Sequence, residues 1–358
     1  MTTIAGVHGV VAAHGYPQHE ITAAFADVVA PDGTHRAVID RIHAATGVER
    51  RYLALPLADY ATLTGFGAAN DAFIRVGLDL AEQAVRGALD RAGLAAADVD
   101  LVLATSVTGL AAPSLESRLV SRIGLRPDVK RLPVFGLGCV AGASGIARLR
   151  DYLLGDPDGV AVLLSVELCS LTVQRDDVSM PNVVASGLFG DGAAAVVMVG
   201  ARRAAAMGLA GPRVVASSSR IYPDSERTMG WDIGETGFRI VLSAGVPDVI
   251  TTYIGGDVAG FLADNGLATT DIARWVCHPG GPKVLQAMEA ALDLHDNQLS
   301  VTWRSLAAIG NLSSSSILHV LQDTVEGLGG TVPPEPGTAG LLLAMGPGFC
   351  SEMVLLEW

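Results

Sequence analysis

Three side chains scattered along the chain, Cys139, His278 and Asn311, are of the types that thioester chemistry uses: a thiol to carry an acyl group, an imidazole to move its proton, an amide to donate to an oxyanion. Cys139 stands where an apolar run, Leu132 to Leu137, gives way to a segment with Ile146, Leu149 and Leu153 at helical spacing. The stretch Arg131 to Gly155 therefore predicts a buried strand that turns at Gly138 and enters a helix with the cysteine at the join. There the unpaired N–H groups and the positive end of the helix dipole favour thiolate, an effect able to move a thiol pKa from about 8.5 to between roughly 3.5 and 7.5. Taken singly, each residue also has a plainer role. Cys139 reads equally well as a small buried hydrophobe, His278 before Pro279 as a loop histidine, and Asn311 as a helix N-cap.

The elements that must position them come as a repeat. The segment Gly87 to Asp98 matches Gly260 to Asp271 at a constant offset, with Gly, Gly-Leu-Ala and Asp in register. Each copy is followed by a short apolar strand, Leu101 to Ala104 in one and Arg274 to Cys277 in the other. At that offset Thr105 falls on His278, and Gly138-Cys139 on Asn311-Leu312. Asn311 itself lies between the apolar stretch Leu306 to Ile309 and a helix beginning at Ser313. The period is too long for a solenoid. It predicts an α/β fold of two like halves, 1–205 with the cysteine and 206–358 with the histidine and asparagine. Facing across a pseudo-twofold axis, the halves would bring the strand ends carrying the three residues to one cavity. Thr3 to Ala13, Val160 to Val166 and Ala193 to Val199 predict further strands, Ala68 to Ala92 and Leu115 to Ile123 helices. Gln18 to Arg51 reads as a helical pattern ending in a turn at Gly47, and the pattern-poor stretch Ala201 to Gly211 marks the boundary between halves.

Half of the 358 residues are hydrophobic and 42 are glycine, a composition that suits buried parallel strands and close-packed helices. A net charge of −13 without a lysine or arginine cluster argues against a nucleic-acid surface. No signal-like leader is present and no apolar run approaches the roughly 18 residues a membrane helix needs, so a cytoplasmic protein without a membrane span is expected. Cys139, Cys169, Cys277 and Cys350 lie far apart with no C-x-x-C pair, so neither a metal site nor a disulfide framework is expected. Arg50-Arg51 is a candidate basic patch for an anionic substrate, its plainer reading being a solvated turn.

Five runs, in family order, resemble the motifs of type III polyketide synthases, the chalcone-synthase-like enzymes. They are Gly138-Cys139-Val-Ala-Gly142, Gly187-Leu-Phe189-Gly-Asp-Gly192, Cys277-His278-Pro-Gly-Gly-Pro-Lys283, Ile309-Gly-Asn311-Leu-Ser-Ser314 and Met345-Gly-Pro-Gly348. The likeness runs from about residue 4 to Trp358, and in stretches such as Glu167 to Thr172 it is closest to bacterial long-chain alkylpyrone synthases, notably the mycobacterial kind. It implies a thiolase-like fold with duplicated βαβαβ halves in α-β-α-β-α layers, a homodimer, CoA thioesters as substrates, and no cofactor or carrier-protein domain. On this resemblance Cys139 carries the acyl group and His278 with Asn311 drives malonyl decarboxylation. Phe189 and Phe238 would be gatekeepers between a CoA tunnel and the cavity, although isolated aromatics also read as plain core. Val107, Cys169 and Thr172 match cavity positions that are threonines in plant chalcone synthases, and Ala112 stands where those enzymes have a methionine reaching into the partner subunit. These departures argue against chalcone as the product. Ser313 and the loop Gly346-Pro347-Gly348, otherwise an ordinary turn, complete the substrate-binding set, with Arg50 and Arg51 assigned to CoA.

The expected reaction is transfer of a fatty acyl group from CoA to Cys139, extension by decarboxylative Claisen condensation with malonyl-CoA, and release of an alkylpyrone. The alternatives are an alkylresorcinol or other aromatic-ring synthase, a ketoacyl-ACP synthase III, and an inactive duplicated scaffold. Against the ketoacyl synthase stands His278-Pro-Gly-Gly281, where such enzymes would show a His-Gln-Ala-Asn-like run.

Overall fold

In the computed structural model, which describes residues 1–358 except 176, 296 and 331, strands and helices alternate in two passes. The first comprises β1 (Thr2–Val11), β2 (His14–Pro17), α1 (Gln18–Val29), α2 (Arg36–Ala44), β3 (Arg50–Leu53), α3 (Leu57–Tyr60), α4 (Gly65–Ala92), β4 (Leu101–Thr105), α5 (Leu115–Ile123), β5 (Lys130–Val134), α6 (Ala141–Gly155), β6 (Val160–Leu168), α7 (Met180–Leu188) and β7 (Asp191–Val199). After α8 (Ala201–Met207) the second comprises β8 (Arg213–Ile221), β9 (Met229–Gly234), β10 (Gly237–Leu242), α9 (Val246–Asp264), β11 (Ile272–Cys277), α10 (Pro282–Leu292), α11 (Ser300–Ile309), α12 (Ser316–Glu326), β12 (Ala339–Gly346) and β13 (Cys350–Glu357).

Pairing shows the duplication. The main sheet has the order β11-β12-β13-β8-β1-β7-β6-β4-β5. On one side β4 runs parallel to β6, which is antiparallel to β7, which is antiparallel to β1. On the other β11 runs parallel to β12, then β13 and β8 follow antiparallel. The two sets meet where Thr2 and Thr3 pair with Val214 and Arg213. Helix α4 covers the first set through Leu80, Ala84, Val85, Ala88 and Leu89, a stripe at helical spacing. Helices α9 and α10 cover the second, while α6 and α12 pack between the two sets. The result is a layered α-β-α-β-α arrangement of the thiolase-like kind. A Cβ on Gly142 of α6 would sit 2.5 Å from the Ser314 carbonyl and from Ile317, so only glycine lets the two central helices meet.

Three expectations need correction. The strand before Cys139 is not buried: β5 is the outer strand, paired among the described residues with β4 alone, with its Leu132 46% and the following Phe135 44% exposed. Pro133, which has no N–H to give a further neighbour, was the signal for an edge. The segment Gln18 to Arg51 is two helices and a strand, because Pro31-Asp-Gly33 breaks the pattern and Arg50 begins β3. Among the described residues the second half also has no counterpart of β5. The stretch Leu306 to Ile309 ends helix α11, whose buried Val301, Thr302, Ser305 and Leu306 follow a period near 3.6.

Candidate active site

Cys139 sits in a 3₁₀ turn, Gly138–Val140, that leads into α6 and is 7% exposed. Gly138 has φ +55°, and a Cβ there would lie 2.7 Å from the Pro347 ring. A Cβ on Gly346 would lie 3.0 Å from the Val140 N, so the loop after β12 is seated directly on the nucleophile turn. The Cys139 Sγ donates to Ser313 Oγ at 3.7 Å. Burial pushes this thiol up to about 12, the Ser313 bond acting the other way and the Glu167 carboxyl adding to the rise. Burial thus works against the thiolate that a helix N-terminus favours. Desolvation outweighs a helix end that begins as a 3₁₀ turn.

His278 follows β11, its N–H bonded to the Leu343 carbonyl of β12 at 3.0 Å. It is 3% exposed, and neither ring nitrogen has a partner among the described residues. Burial pushes the imidazole down to about 3, so it is neutral and both of its nitrogens are uncommitted. Asn311 is held from both sides by Phe189's neighbours: its N–H donates to the Leu188 carbonyl, and its carbonyl accepts from Gly190, each at 2.9 Å. Its side-chain Oδ1 accepts from the Ser313 N–H at 2.8 Å and from Ser316 Oγ at 3.5 Å. Asn311 is therefore not the helix N-cap expected of an isolated asparagine, a place that Leu312 takes; its Oδ1 closes a local turn, which fixes the amide with Nδ2 as the donor left over. The same Ser313 that bonds Asn311 also bonds Cys139, so the turns of the two halves are joined through one residue.

A cavity of about 410 Å³ opens beside Cys139. Val107, Cys169, Thr172, Phe189, Ser313 and Pro347 of the predicted set line it. Cys169 is buried and neutral, its thiol pushed up by desolvation, and Thr172 Oγ1 donates to the Cys169 carbonyl at 2.8 Å. His278 and Asn311 are not in the lining; Asn311 reaches it through Ser313. Gly346 and Gly348 shape the loop rather than the cavity wall, and a Cβ on Gly348 would meet Cys350 at 3.2 Å. Phe238 is 2% exposed in an aromatic cluster with Phe66, Trp231 and Phe135, while its strand neighbours Arg239 and Ile240 line the cavity. Arg50 and Arg51 do not form a patch, because successive residues of β3 face opposite ways. Arg50 is exposed; Arg51 is 2% exposed in the cavity wall, donating to Gln18 Oε1 at 2.9 Å and to the Phe189 carbonyl at 2.8 Å.

The sequence reading passed over several buried polar groups. Glu167, the penultimate residue of the all-buried β6, accepts from the Val107 N–H at 3.1 Å, Thr108 Oγ1 at 2.9 Å and Ser314 Oγ. Burial raises its carboxyl. A carboxylate closing an unbroken apolar strand was the available signal. Tyr60 and Ser170, also in the cavity wall, had none.

Comparison with known proteins follows from this geometry. Models of the chalcone and stilbene synthase N-terminal and C-terminal domains match residues 3–202 and 213–358. Over 357 residues, all of this chain and 93% of the relative, the chain is 56% identical to a 1,3,6,8-tetrahydroxynaphthalene synthase of Streptomyces peucetius subsp. caesius. It is 31% identical to a phloroglucinol synthase of Pseudomonas fluorescens, covering 96% of this chain and 97% of the relative. The crystal structure of the 1,3,6,8-tetrahydroxynaphthalene synthase of Streptomyces coelicolor A3(2) matches with a TM-score of 0.91 at 28% identity, covering 99% of each chain.

Burial drives the thiol and the imidazole each toward its neutral form, and we propose that their charges appear only together, by passage of the proton from Sγ to the ring. In His278→Ala, alkylation of Cys139 by iodoacetamide at pH 7 should therefore slow by about tenfold or more, with its midpoint moved to higher pH, tenfold being one unit of thiol pKa. Superposable pH profiles for the two proteins would show that His278 does not take the thiol proton.

Proposed function

Because this chain belongs to the chalcone and stilbene synthase family and is a type III polyketide synthase, an enzyme that condenses CoA thioesters with loss of CO2, we propose that it both primes and extends with malonyl-CoA and closes the chain into a polyhydroxylated naphthalene. The observation that carries this reading is the 56% identity, along the whole chain, to a synthase of 1,3,6,8-tetrahydroxynaphthalene. Carbon counting gives the reaction its form. Ten carbons bearing four alternating oxygens equal five two-carbon keto units less one water, so five malonyl-CoA would yield the product with five CO2, five CoA and one water. The cavity wall carries polar side chains, Thr108, Thr172, Gln174 and Ser313 among them, that suit a chain with oxygen on every second carbon.

In this reading the Cys139 thiol attacks the thioester while its proton passes to His278, and CoA leaves. A second malonyl-CoA loses CO2. The electron pair left behind forms an enolate whose oxygen is held by the His278 N–H and the Asn311 Nδ2. The enolate carbon then attacks the Cys139 thioester, the Cys139 sulfur leaves, and the lengthened chain, now on CoA, is transferred back to Cys139 with loss of that CoA before the next round. No electrons are exchanged with a redox partner, so the cycle is proposed to run without a cofactor.

A second reading, fatty acyl priming with alkylpyrone release, is favoured by the apolar residues of the cavity wall, Ile21, Ala24, Phe25 and Val28 of α1 together with Leu57 and Leu63. An alkyl tail would gain about 0.8 kcal/mol per buried methylene there. An alkylresorcinol would differ only in its ring closure.

We also propose that a second copy of the chain covers the outer edge of β5, where Leu132, Phe135 and Leu110 stand exposed beside unpaired backbone. No helix among the described residues is long and apolar enough to cross a membrane, and the cytoplasm is the proposed location.

Purified enzyme given malonyl-CoA alone should release CO2 and form an aromatic product of ten carbons; product only after a long-chain acyl-CoA is added would favour the alkylpyrone reading instead. In Asn311→Ala, CO2 release from malonyl-CoA should fall on the order of 100-fold to 1,000-fold, the usual cost of one oxyanion donor, while Cys139 is still acylated. Undiminished CO2 release would take Asn311 out of the reaction. Light scattering should give the wild-type chain twice its monomer mass and Phe135→Glu the monomer mass; a wild-type monomer would refute the dimer.

A further inference from the structure

Across the cavity wall three side chains form one hydrogen-bonded line, and none of them takes part in the chemistry assigned to Cys139, His278 and Asn311. Tyr60, at the end of α3, bonds through its hydroxyl to Ser170 Oγ, in the 3₁₀ turn Cys169–Thr172 that follows β6. Ser170 Oγ bonds in turn to Oδ2 of Asp191, the first residue of β7. Tyr60 and Ser170 line the cavity, whereas Asp191 is fully buried behind them.

The direction of the line follows from what each group can do. An ionised carboxylate only accepts, and Asp191 accepts from Ser170 Oγ, from the Ser170 N–H at 2.8 Å and from the Ala54 N–H at 2.6 Å. Ser170 therefore spends its proton on Asp191, so it is Tyr60 that donates to Ser170. The phenol oxygen accepts from the Leu55 N–H at 3.3 Å, and Tyr60 stands in the cavity wall. Arg51, the nearby buried cation, directs its hydrogen bonds to Gln18 and Phe189 rather than to Asp191. Burial raises the Asp191 carboxyl to about 6, so it can hold a proton close to neutral pH. The Tyr60 phenol is pushed up as well, which makes a free tyrosinate costly and favours transfer along the whole line in one event.

Ring closure on a polyketone requires such a device. One methylene flanked by two carbonyls loses a proton, its carbon attacks a carbonyl carbon further along the chain, and the oxygen there gains a proton. We propose that Tyr60 is a further catalytic residue of this enzyme, the acid–base group for carbon–carbon ring closure, with Ser170 and Asp191 as positioning residues that relay its proton. The methylene proton goes to the Tyr60 oxygen as the Tyr60 proton moves to Ser170 and the Ser170 proton to Asp191. The new carbon–carbon bond forms, and the alkoxide recovers a proton by the reverse route. Loss of that hydroxyl with a ring hydrogen as water then aromatises the ring, and no oxidant or other reactant is consumed. This assignment rests on the reading of the product as a carbocycle.

The test compares wild type with Tyr60→Phe, which lacks the proton, and Ser170→Ala, which keeps the phenol and cuts the line. Each is given malonyl-CoA, and three readouts are followed: CO2 release, acylation of Cys139, and the identity of the product. Removing a general acid–base group typically costs about 100-fold to 10,000-fold in the step it serves. Both variants should release CO2 and acylate Cys139 within about threefold of wild type, while the aromatic product falls by about 100-fold and the chain emerges as a lactone. Aromatic product at the wild-type rate in both variants would overturn the assignment, as would a parallel loss of all three readouts in both. A wild-type enzyme that makes no carbocycle would overturn the reading of the reaction, and this assignment with it; the two failures therefore appear in different samples.

Discussion

The close approach of α6 to the start of α12, made possible by the missing Cβ of Gly142, is the contact on which the site depends. It lets the 3₁₀ turn of the first half, with Cys139, touch the 3₁₀ turn of the second, with Ser313–Ser315. Ser165 of β6 extends the join by bonding Ser314 and Ser315 at 2.7 Å. A thiol from one half and an amide from the other are thereby fixed by the most buried layer of the molecule. Side chains held this way are positioned by packing density rather than by flexible loops, which is what near-attack geometry requires.

Burial is also the site's main electrostatic agent. It neutralises the Cys139 thiol and the His278 imidazole and raises the carboxyls of Glu167 and Asp191, and it lowers Arg51 to about 10. The thiol and the imidazole are thereby both driven toward their neutral forms, so a charge created there during reaction is met by aligned donors. The protein as a whole carries −13, yet Arg51, Arg175 and Arg239 all stand in the cavity wall.

Much of this was legible in the sequence because it is carried by pattern. Unbroken apolar runs became strands buried on both faces, and the Gly-Leu-Ala repeat marked α4 and α9 with the strands that follow them. What pattern cannot convey is which strand lies outermost: β5 is apolar enough to read as core, and only Pro133 hinted at an edge. Nor can it separate Arg50 from Arg51, whose opposite fates depend on which face of β3 meets Gln18 and Phe189. Phe238 likewise matches a gatekeeper motif but packs among Phe66, Phe135 and Trp231. The Tyr60–Ser170–Asp191 line joins three segments distant in sequence and has no periodicity at all, so only the folded chain reveals it.

The account stands on Cys139 being the single residue that carries the growing chain. Rapid acid quenching of the enzyme with isotopically labelled malonyl-CoA, followed by digestion and mass spectrometry, tests this most directly. The account predicts label on the peptide containing Cys139 alone, as a ladder of masses separated by one two-carbon keto unit, and no label in Cys139→Ala. Label on a peptide containing Cys169, Cys277 or Cys350, or a ladder that survives in Cys139→Ala, would contradict it.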